Sequence, residues 1–361
     1  MPPLVSILIP AYNSERWIGD AIESAIAQTW PHKEIIVVDD GSRDATLSVA
    51  RQFASKRVSV VTQENQGASG ARNTALKLAQ GDYFQWLDAD DLLSPEKVER
   101  QIEVADACTS QRTLLSSAWG YFFYRLGKAQ FTPSALWSDL SPAEWLIRKM
   151  GQNLHMQTAT WLVSRELTKF AGPWDKRLWR DNDGEYFCRV LLAADIVRFV
   201  PEARCYYRRV GNDSVSYIGS SKRKQDSLFL SLQLHVQYLL SLEDSERTRA
   251  ACLNYLQTWF HNFYPQRTDI VQKLRQLAAS LGGELRRPRL SWKYAWIQKL
   301  FGWKLAKQAQ LVARGQKESF LRSWDKVLFH WERCFARRLN EAAPNALPGT
   351  IIKPFEAENR E

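Results

Sequence analysis

Tyr83-Phe84-Gln85-Trp86-Leu87-Asp88-Ala89-Asp90-Asp91-Leu92-Leu93-Ser94 is an apolar, aromatic-rich run that stops at one acid and adds two more within three residues. That pattern predicts a buried strand ending in a cluster of carboxylates. In open parallel sheets ligands bind beyond the carboxyl ends of the strands, so Asp88 and Asp90 are expected to face a crevice. Two carboxylates two positions apart are hard oxygen donors, suited to Mg²⁺ or Mn²⁺ held together with a diphosphate. An acidic turn is by itself a common solvated cap. Its weight comes from the segments upstream.

Val5 to Pro10 reads as a buried first strand closed by proline. A helix should follow, capped by Asn13 or Ser14, with Glu15 at its positive end and Trp17, Ile18, Ala21, Ile22, Ala25 and Ile26 on one stripe. Glu34 to Asp39 reads as a second strand running into Asp39-Asp40-Gly41-Ser42, and Ser42 and Asp44 suit the cap of a helix from about Asp44 to Phe53. A strand at Val58 to Thr62 and a helix capped near Ser69 and stopped at Gly81 lead into the aspartate strand. Four rounds of strand and helix predict a parallel sheet with right-handed crossovers. The ends at Pro10–Asn13, Asp39–Ser42 and Asp88–Asp91 would then share one edge.

With 361 residues, 45% apolar and 24% charged, the chain is globular and long enough for two domains. Its five cysteines are widely spaced without a Cys-x-x-Cys pair, which predicts reduced, mostly buried thiols. No apolar run has the length of a bilayer-spanning helix, and Pro2 and Pro3 with no basic flank argue against a signal peptide. The expected location is the cytoplasm. The net charge of +10 belongs to the C-terminal part: from Ser220 onward there are 24 Lys and Arg against 13 Asp and Glu. There, Lys and Arg interleave with Trp292, Tyr294, Trp296, Phe301 and Trp303, as on a helix lying on anionic lipid at the inner face of a membrane or packed on a neighbouring domain. No nucleic-acid module accompanies these charges, and no nucleic acid is expected as a partner.

The ordered segments Val5-Ser-Ile-Leu-Ile-Pro-Ala-Tyr-Asn13, Ile36-Val-Val-Asp-Asp-Gly-Ser-Arg-Asp-Ala-Thr46, Asn65-Gln-Gly-Ala-Ser-Gly-Ala-Arg-Asn73 and Leu87-Asp-Ala-Asp-Asp91 resemble family 2 glycosyltransferases of the GT-A fold. The resemblance covers residues 4 to about 95 and weakens up to 216. It implies an α/β fold with a Rossmann-like, mixed and mostly parallel sheet flanked by helices, followed by a helical C-terminal region. The implied domains are 1–218 as catalytic domain (1–95 for the nucleotide-sugar, 96–218 for the acceptor), 219–341 as a basic helical region and 342–361 as a loose tail. The implied activity is inverting transfer from a UDP- or dTDP-sugar to a hydroxyl of a glycan or lipid-linked saccharide, with a divalent cation, Mn²⁺ or Mg²⁺. Alternatives are a GDP-mannose or polyprenyl-phosphate transferase and a non-catalytic nucleotide-sugar-binding subunit.

Residue by residue, the resemblance places Pro10, Ala11, Tyr12 and Glu15 on the nucleotide side, with Tyr12 able to stack on the base and Asp40 able to accept from its imide N–H. Gly67, Arg72, Asp88 and Ala89 correspond to donor-binding positions, Arg72 facing either a phosphate or a salt bridge to Asp88 or Asp40. Asp90 corresponds to the metal ligand, and Asp91 to a helix cap. In Asp181-Asn182-Asp183-Gly184-Glu185, Asp183 matches the catalytic base. Asn182 replaces the usual glutamate, which leaves Asp181 and Glu185 as alternative bases. Val210 stands where relatives often carry a histidine, and His155 and Gln157 are candidates for the acceptor side.

Overall fold

A computed structural model describes residues 2–108, 110, 112–210, 221–288 and 291–342. The expected boundary at 218/219, the segment 211–216 and the tail beyond Ala342 lie outside these residues. The chain divides into two compact units, Met1–Trp119 with Thr132–Tyr207 and Asp213–Arg289, and Gly120–Phe131 with Arg208–Asn212 and Leu290–Glu361.

The first four strands alternate with helices: β1 (Val5–Ala11), α1 (Ile18–Ile26), β2 (Lys33–Asp39), α2 (Thr46–Arg51), β3 (Val58–Thr62), α3 (Gly67–Leu78) and β4 (Tyr83–Trp86). Then come β5 (Leu92–Leu93), α4 (Lys97–Asp106), β6 (Thr113–Phe122), β7 (Gln130–Phe131), α5 (Pro142–Gln152), β8 (Leu162–Ser164), α6 (Arg165–Ala171), α7 (Asn182–Ala193) and β9 (Ile196–Arg208). Helices α8 (Lys222–Leu242), α9 (Glu246–Trp259), α10 (Thr268–Ser280) and α11 (Ala295–Ala342, broken at Gly302) complete the chain. The sheet order is β3-β2-β1-β4-β8-β6-β9-β5 with β7 on β6. It is mixed: β1 pairs in parallel with β2 and β4, and β2 with β3, whereas β8 joins β4 antiparallel.

Burial on both faces explains the apolar runs of β1 and β2, because alternate side chains of a strand point to opposite sides. Leu8, Ile36 and Val38 enter a core with α3, α5, α7, α8 and α9, while Val5, Ile7, Ile9, Ile35 and Val37 enter another with α1 and α4. α8, the expected buried helix, inserts Leu228, Leu232, Val236 and Leu239 into the first core, so it belongs to the same compact unit as the sheet. Among the described residues the thiols are free, and those of Cys188, Cys205 and Cys252 are buried.

Several caps differ from expectation. α1 starts at Ile18 through the Ser14 carbonyl, which accepts from the Trp17 and Ile18 N–H groups at 2.9 Å, without a side-chain cap. α3 starts two residues before Ser69, because a carboxylate distant in sequence, Asp40, fills the capping role. Asp91 does not stand at the cap position of α4. It is fully buried, accepts from the Gln157 amide, and leaves the start of α4 to Glu96.

Candidate active site

The ends of β1, β2 and β4 are neighbours in the sheet, so Tyr12, Asp40 and Asp88 follow adjacent strands. Strands lie about 4.8 Å apart, which separates the outer two ends by about 10 Å. Tyr12 is 44% exposed just past β1. Pro10 is partly buried and Ala11 buried, and the Ala11 carbonyl accepts from the Asp40 N–H at 2.8 Å. Glu15 and Asp44 tie the two adjoining turns: Glu15 accepts from the Ala45 N–H at 2.9 Å and Asp44 accepts from the Glu15 N–H at 3.2 Å. Ser42 serves the same purpose by accepting from the Asn13 N–H.

Asp40 is 2% exposed and accepts from Gln63 Nε2 at 2.7 Å, Gln66 N at 2.9 Å and Gly67 N at 2.8 Å. It satisfies the free N–H groups that every helix leaves at its first turn and places negative charge at the positive end of the dipole. Gly41 turns the chain at φ +72, and a Cβ there would meet Asn65 N at 3.1 Å. Gly67 takes φ +78, with the Trp179 ring 3.3 Å from where its Cβ would stand. Only glycine adopts that conformation freely.

One turn further along α3, Arg72 is 5% exposed. Its Nη2 donates to Asp88 at 2.7 Å, its Nη1 donates to Asn182 at 3.2 Å, and its guanidinium lies 4.4 Å from the centre of the Trp174 ring. The salt bridge to Asp88, one of the roles the sequence leaves open for Arg72, is formed. Asn182 accepts from that guanidinium and so supplies an acceptor at the start of α7.

α7 is anchored by its aromatic residues. Tyr186 stacks on Trp174 with centroids 4.0 Å apart, Trp174 meets Trp86 edge-on at 5.0 Å, and Phe187 stacks on Trp161 at 5.3 Å. Full burial of such side chains contributes about 2 kcal/mol each. Around this anchor the three candidate bases have separate fates. Glu185 is 1% exposed and accepts from Arg189 Nε at 2.7 Å, Arg189 Nη2 at 3.0 Å and the Tyr238 hydroxyl at 2.8 Å. Asp181, at φ +55, accepts from the Ser231 hydroxyl at 2.5 Å. Burial works to raise its pKa, but His235, Lys149 and the Ser231 bond outweigh it and hold the carboxyl below its ordinary range. Asp183 is partly exposed in the first turn of α7 and accepts no hydrogen bond from the described residues.

Tyr207 locates Asp183 relative to the aspartate turn. Burial, and after it the negative charges of Asp91, Asp90, Asp88 and Asp183, hold its hydroxyl above the usual tyrosine range. Three carboxylates from the turn after β4 and one from α7 therefore share one neighbourhood. Ala89 is buried between two of them. Mg²⁺ and Mn²⁺ need only one or two protein carboxylates when phosphate and water complete the shell, so Asp88 and Asp90 fit such an ion together with a diphosphate. The described residues hold no group of three or more His, Cys, Asp or Glu side chains that could bind a metal unaided. His155 is exposed with its ring edge-on to Trp119, whereas Gln157 is 2% exposed and engaged with Asp91 and Ala159. Gln157 therefore braces the acidic turn from beneath.

Sequence reading missed Arg180, Trp179 and Tyr207. Arg180 lies in the field of Asp181 and Asp183, its pKa is pushed down by burial, and its Nε and Nη1 have no hydrogen-bond partner among the described residues. Its adjacency to the acidic segment was the available signal.

The sequence model described as "Glycosyl transferase family 2" matches residues 6–166. Residues 6–166 belong to glycosyl transferase family 2. This family 2 domain is 46% identical over 102 residues to an uncharacterized glycosyltransferase of Rickettsia typhi, covering 28% of this chain and 32% of that protein. It is 43% identical over 102 residues to the Escherichia coli UDP-Glc:alpha-D-GlcNAc-diphosphoundecaprenol beta-1,3-glucosyltransferase WfgD, covering 28% of this chain and 40% of that one. The chain thus spans about a third of the length of the first of these curated relatives. In three dimensions, S. aureus TarS 1-349 in complex with UDP-GlcNAc superposes with a TM-score of 0.63 at 19% identity, covering 77% of this chain and 81% of that one. The fold of the family 2 domain is GT-A, with a helical C-terminal region.

No helix among the described residues is long and apolar enough to cross a membrane.

Proposed function

We propose that this chain transfers a sugar, with inversion, from a UDP- or dTDP-sugar to a hydroxyl of a glycan or lipid-linked acceptor, with Asp183 as the base. The observation carrying this reading is the state of the three candidate carboxylates. Asp181 and Glu185 are spent on Ser231, Arg189 and Tyr238, while Asp183 accepts nothing from the described residues and shares the Tyr207 neighbourhood with Asp88 and Asp90. Inverting displacement needs one carboxylate to take the acceptor proton as the oxygen attacks the anomeric carbon, while the nucleoside diphosphate leaves from the opposite face.

Tyr12 supplies an exposed ring for the base, and Asp40 keeps one acceptor direction beyond the three it already uses. Gly67 lets the start of α3 close on the Asp40 carboxylate, which holds Asp40 in place beside the first-strand turn. Arg72 acts as a positioning residue by fixing Asp88 against α7. A divalent cation held by Asp90 and Asp88 would neutralise charge developing on the leaving diphosphate. The names of WfgD and the TarS complex, both with uridine diphosphate sugars, support this donor class.

The test is release of nucleoside diphosphate from a panel of sugar nucleotides by the whole chain, with and without Mn²⁺ or Mg²⁺. Metal-dependent release from a uridine or thymidine donor is expected. Calorimetric binding of UDP without release or transfer from any donor would overturn the enzymatic reading.

A further inference from the structure

The second compact unit carries a feature the transfer reading does not use. In α11, the side bearing Arg322, Asp325, Phe329 and Glu332 is fastened within its own unit. Asp325 accepts from Tyr124 N at 2.9 Å and from Arg125 Nε at 2.7 Å, Glu332 accepts from Arg125 Nη1 at 2.8 Å, Phe329 packs on Tyr124 at 6.1 Å, and Arg322 donates to the Val210 carbonyl. These contacts fix the rotation of the helix.

At 100° per residue, Phe320, Trp324 and Val327 point almost directly away from that fastened side. They are 68%, 57% and 60% exposed, and Trp331 continues their spacing. Before the break at Gly302, Trp296 and Leu300 are similarly open, at 60% and 68%. Contiguous exposed apolar surface of this size marks an interaction site.

Charge selects the occupant. Residues 291–332 contain eight Lys and Arg against three Asp and Glu, and two of those acids, Asp325 and Glu332, are already paired with Arg125. A second copy would bring like charge against like. Nucleic acid would suit the cations but not an aliphatic and aromatic ridge. An anionic bilayer satisfies both, because its headgroups attract Lys and Arg while Trp and Phe sink to the acyl boundary.

We infer that α11 lies on anionic lipid through its Phe320–Trp324–Val327 side. The inference stands independently of the sugar-transfer reading. It is tested by co-sedimenting the whole chain with phosphatidylcholine vesicles, with and without phosphatidylglycerol. Binding to the anionic vesicles alone, weakened by salt, is expected. The variant Phe320→Ser/Trp324→Ser/Val327→Ser should lose about tenfold or more in partitioning with its circular dichroism unchanged, as expected when three apolar side chains no longer leave water. Lys317→Glu, a change on exposed surface that leaves the ridge intact, should weaken binding and its salt dependence. Three results would overturn the inference: no sedimentation with either vesicle, triple-variant binding equal to wild type, or a lipid-free dimer in sedimentation velocity that the triple variant abolishes. Retention on DNA in place of vesicles would also refute it.

Discussion

Arg72 and Asn182, 110 positions apart, are joined by a 3.2 Å hydrogen bond from the guanidinium that also grips Asp88 at 2.7 Å. One side chain on α3 thus sets the end of β4 against the beginning of α7, where Asp183 stands. Arg72→Lys is expected to fail as a replacement, since an ammonium lacks the planar fork that reaches two acceptors in fixed directions. Loss of about 2 kcal/mol in urea unfolding is expected for Arg72→Ala, as for a lost charge-assisted hydrogen bond. Wild-type stability in both variants would contradict the positioning role.

Asp183→Asn should lower transfer by about 10²–10⁴-fold, the usual contribution of a general base. UDP binding measured by calorimetry should stay within error of wild type. The matching change at Glu185 should instead show up as lost stability, because it strips Arg189 and Tyr238 of their shared acceptor. If Asp183→Asn transferred at the normal rate, another group would have to take the proton.

Gly67→Ala forces a side chain into φ +78 and against the Trp179 ring. Backbone strain of this kind costs about 1–3 kcal/mol. KM for the donor is expected to rise more than kcat falls, because Gly67 N donates to Asp40, the proposed acceptor for the base, and a displaced turn would carry Asp40 with it. A change confined to kcat would argue that this turn does not meet the donor.

Lys97, the first residue of α4, is fully buried and donates to Gln85 Oε1 on β4 at 2.5 Å and to Gln101 Oε1 at 2.6 Å. Burial pushes its pKa down to about 7 from the ordinary 10.5. Between those values the unfolded chain holds a proton that the folded chain has released, so stability rises with pH through this window. Cys188 and Cys205, pushed up to about 12 from 9, work in the opposite sense above pH 9. Denaturant midpoints should therefore climb from pH 7 to 9 in wild type and stay flatter in Lys97→Met. Equal slopes in the two proteins would show that Lys97 keeps its charge when folded.

β1, β2 and β4 were legible because each is buried on both faces and reads as a mostly apolar run bounded by Pro, Gly or Asp, whereas β3, an edge strand with Ser59 and Thr62 exposed, showed only as a short run of valines in the alternation. The antiparallel part of the sheet was not, since β5 and β8 have two and three residues, too few for a period to show. Caps were misread where the capping group comes from elsewhere in the chain. Ser69 had the right chemistry in the right place, but Asp40 reaches α3 across 27 positions. The acids of α7 were visible as a group. What distinguishes them is the set of partners on α8, Ser231, His235 and Tyr238, and no spacing in the sequence announces those.

That dependence on α8 bears on how the protein can be shortened. Ser227 accepts from the Trp179 and Arg180 N–H groups, Ser231 donates to Asp181, and Tyr238 donates to Glu185. A clone ending at residue 218, the expected end of the catalytic domain, would discard all three fasteners and leave the turn that carries Asp183 to drift. The minimal working fragment has to run at least through Leu242.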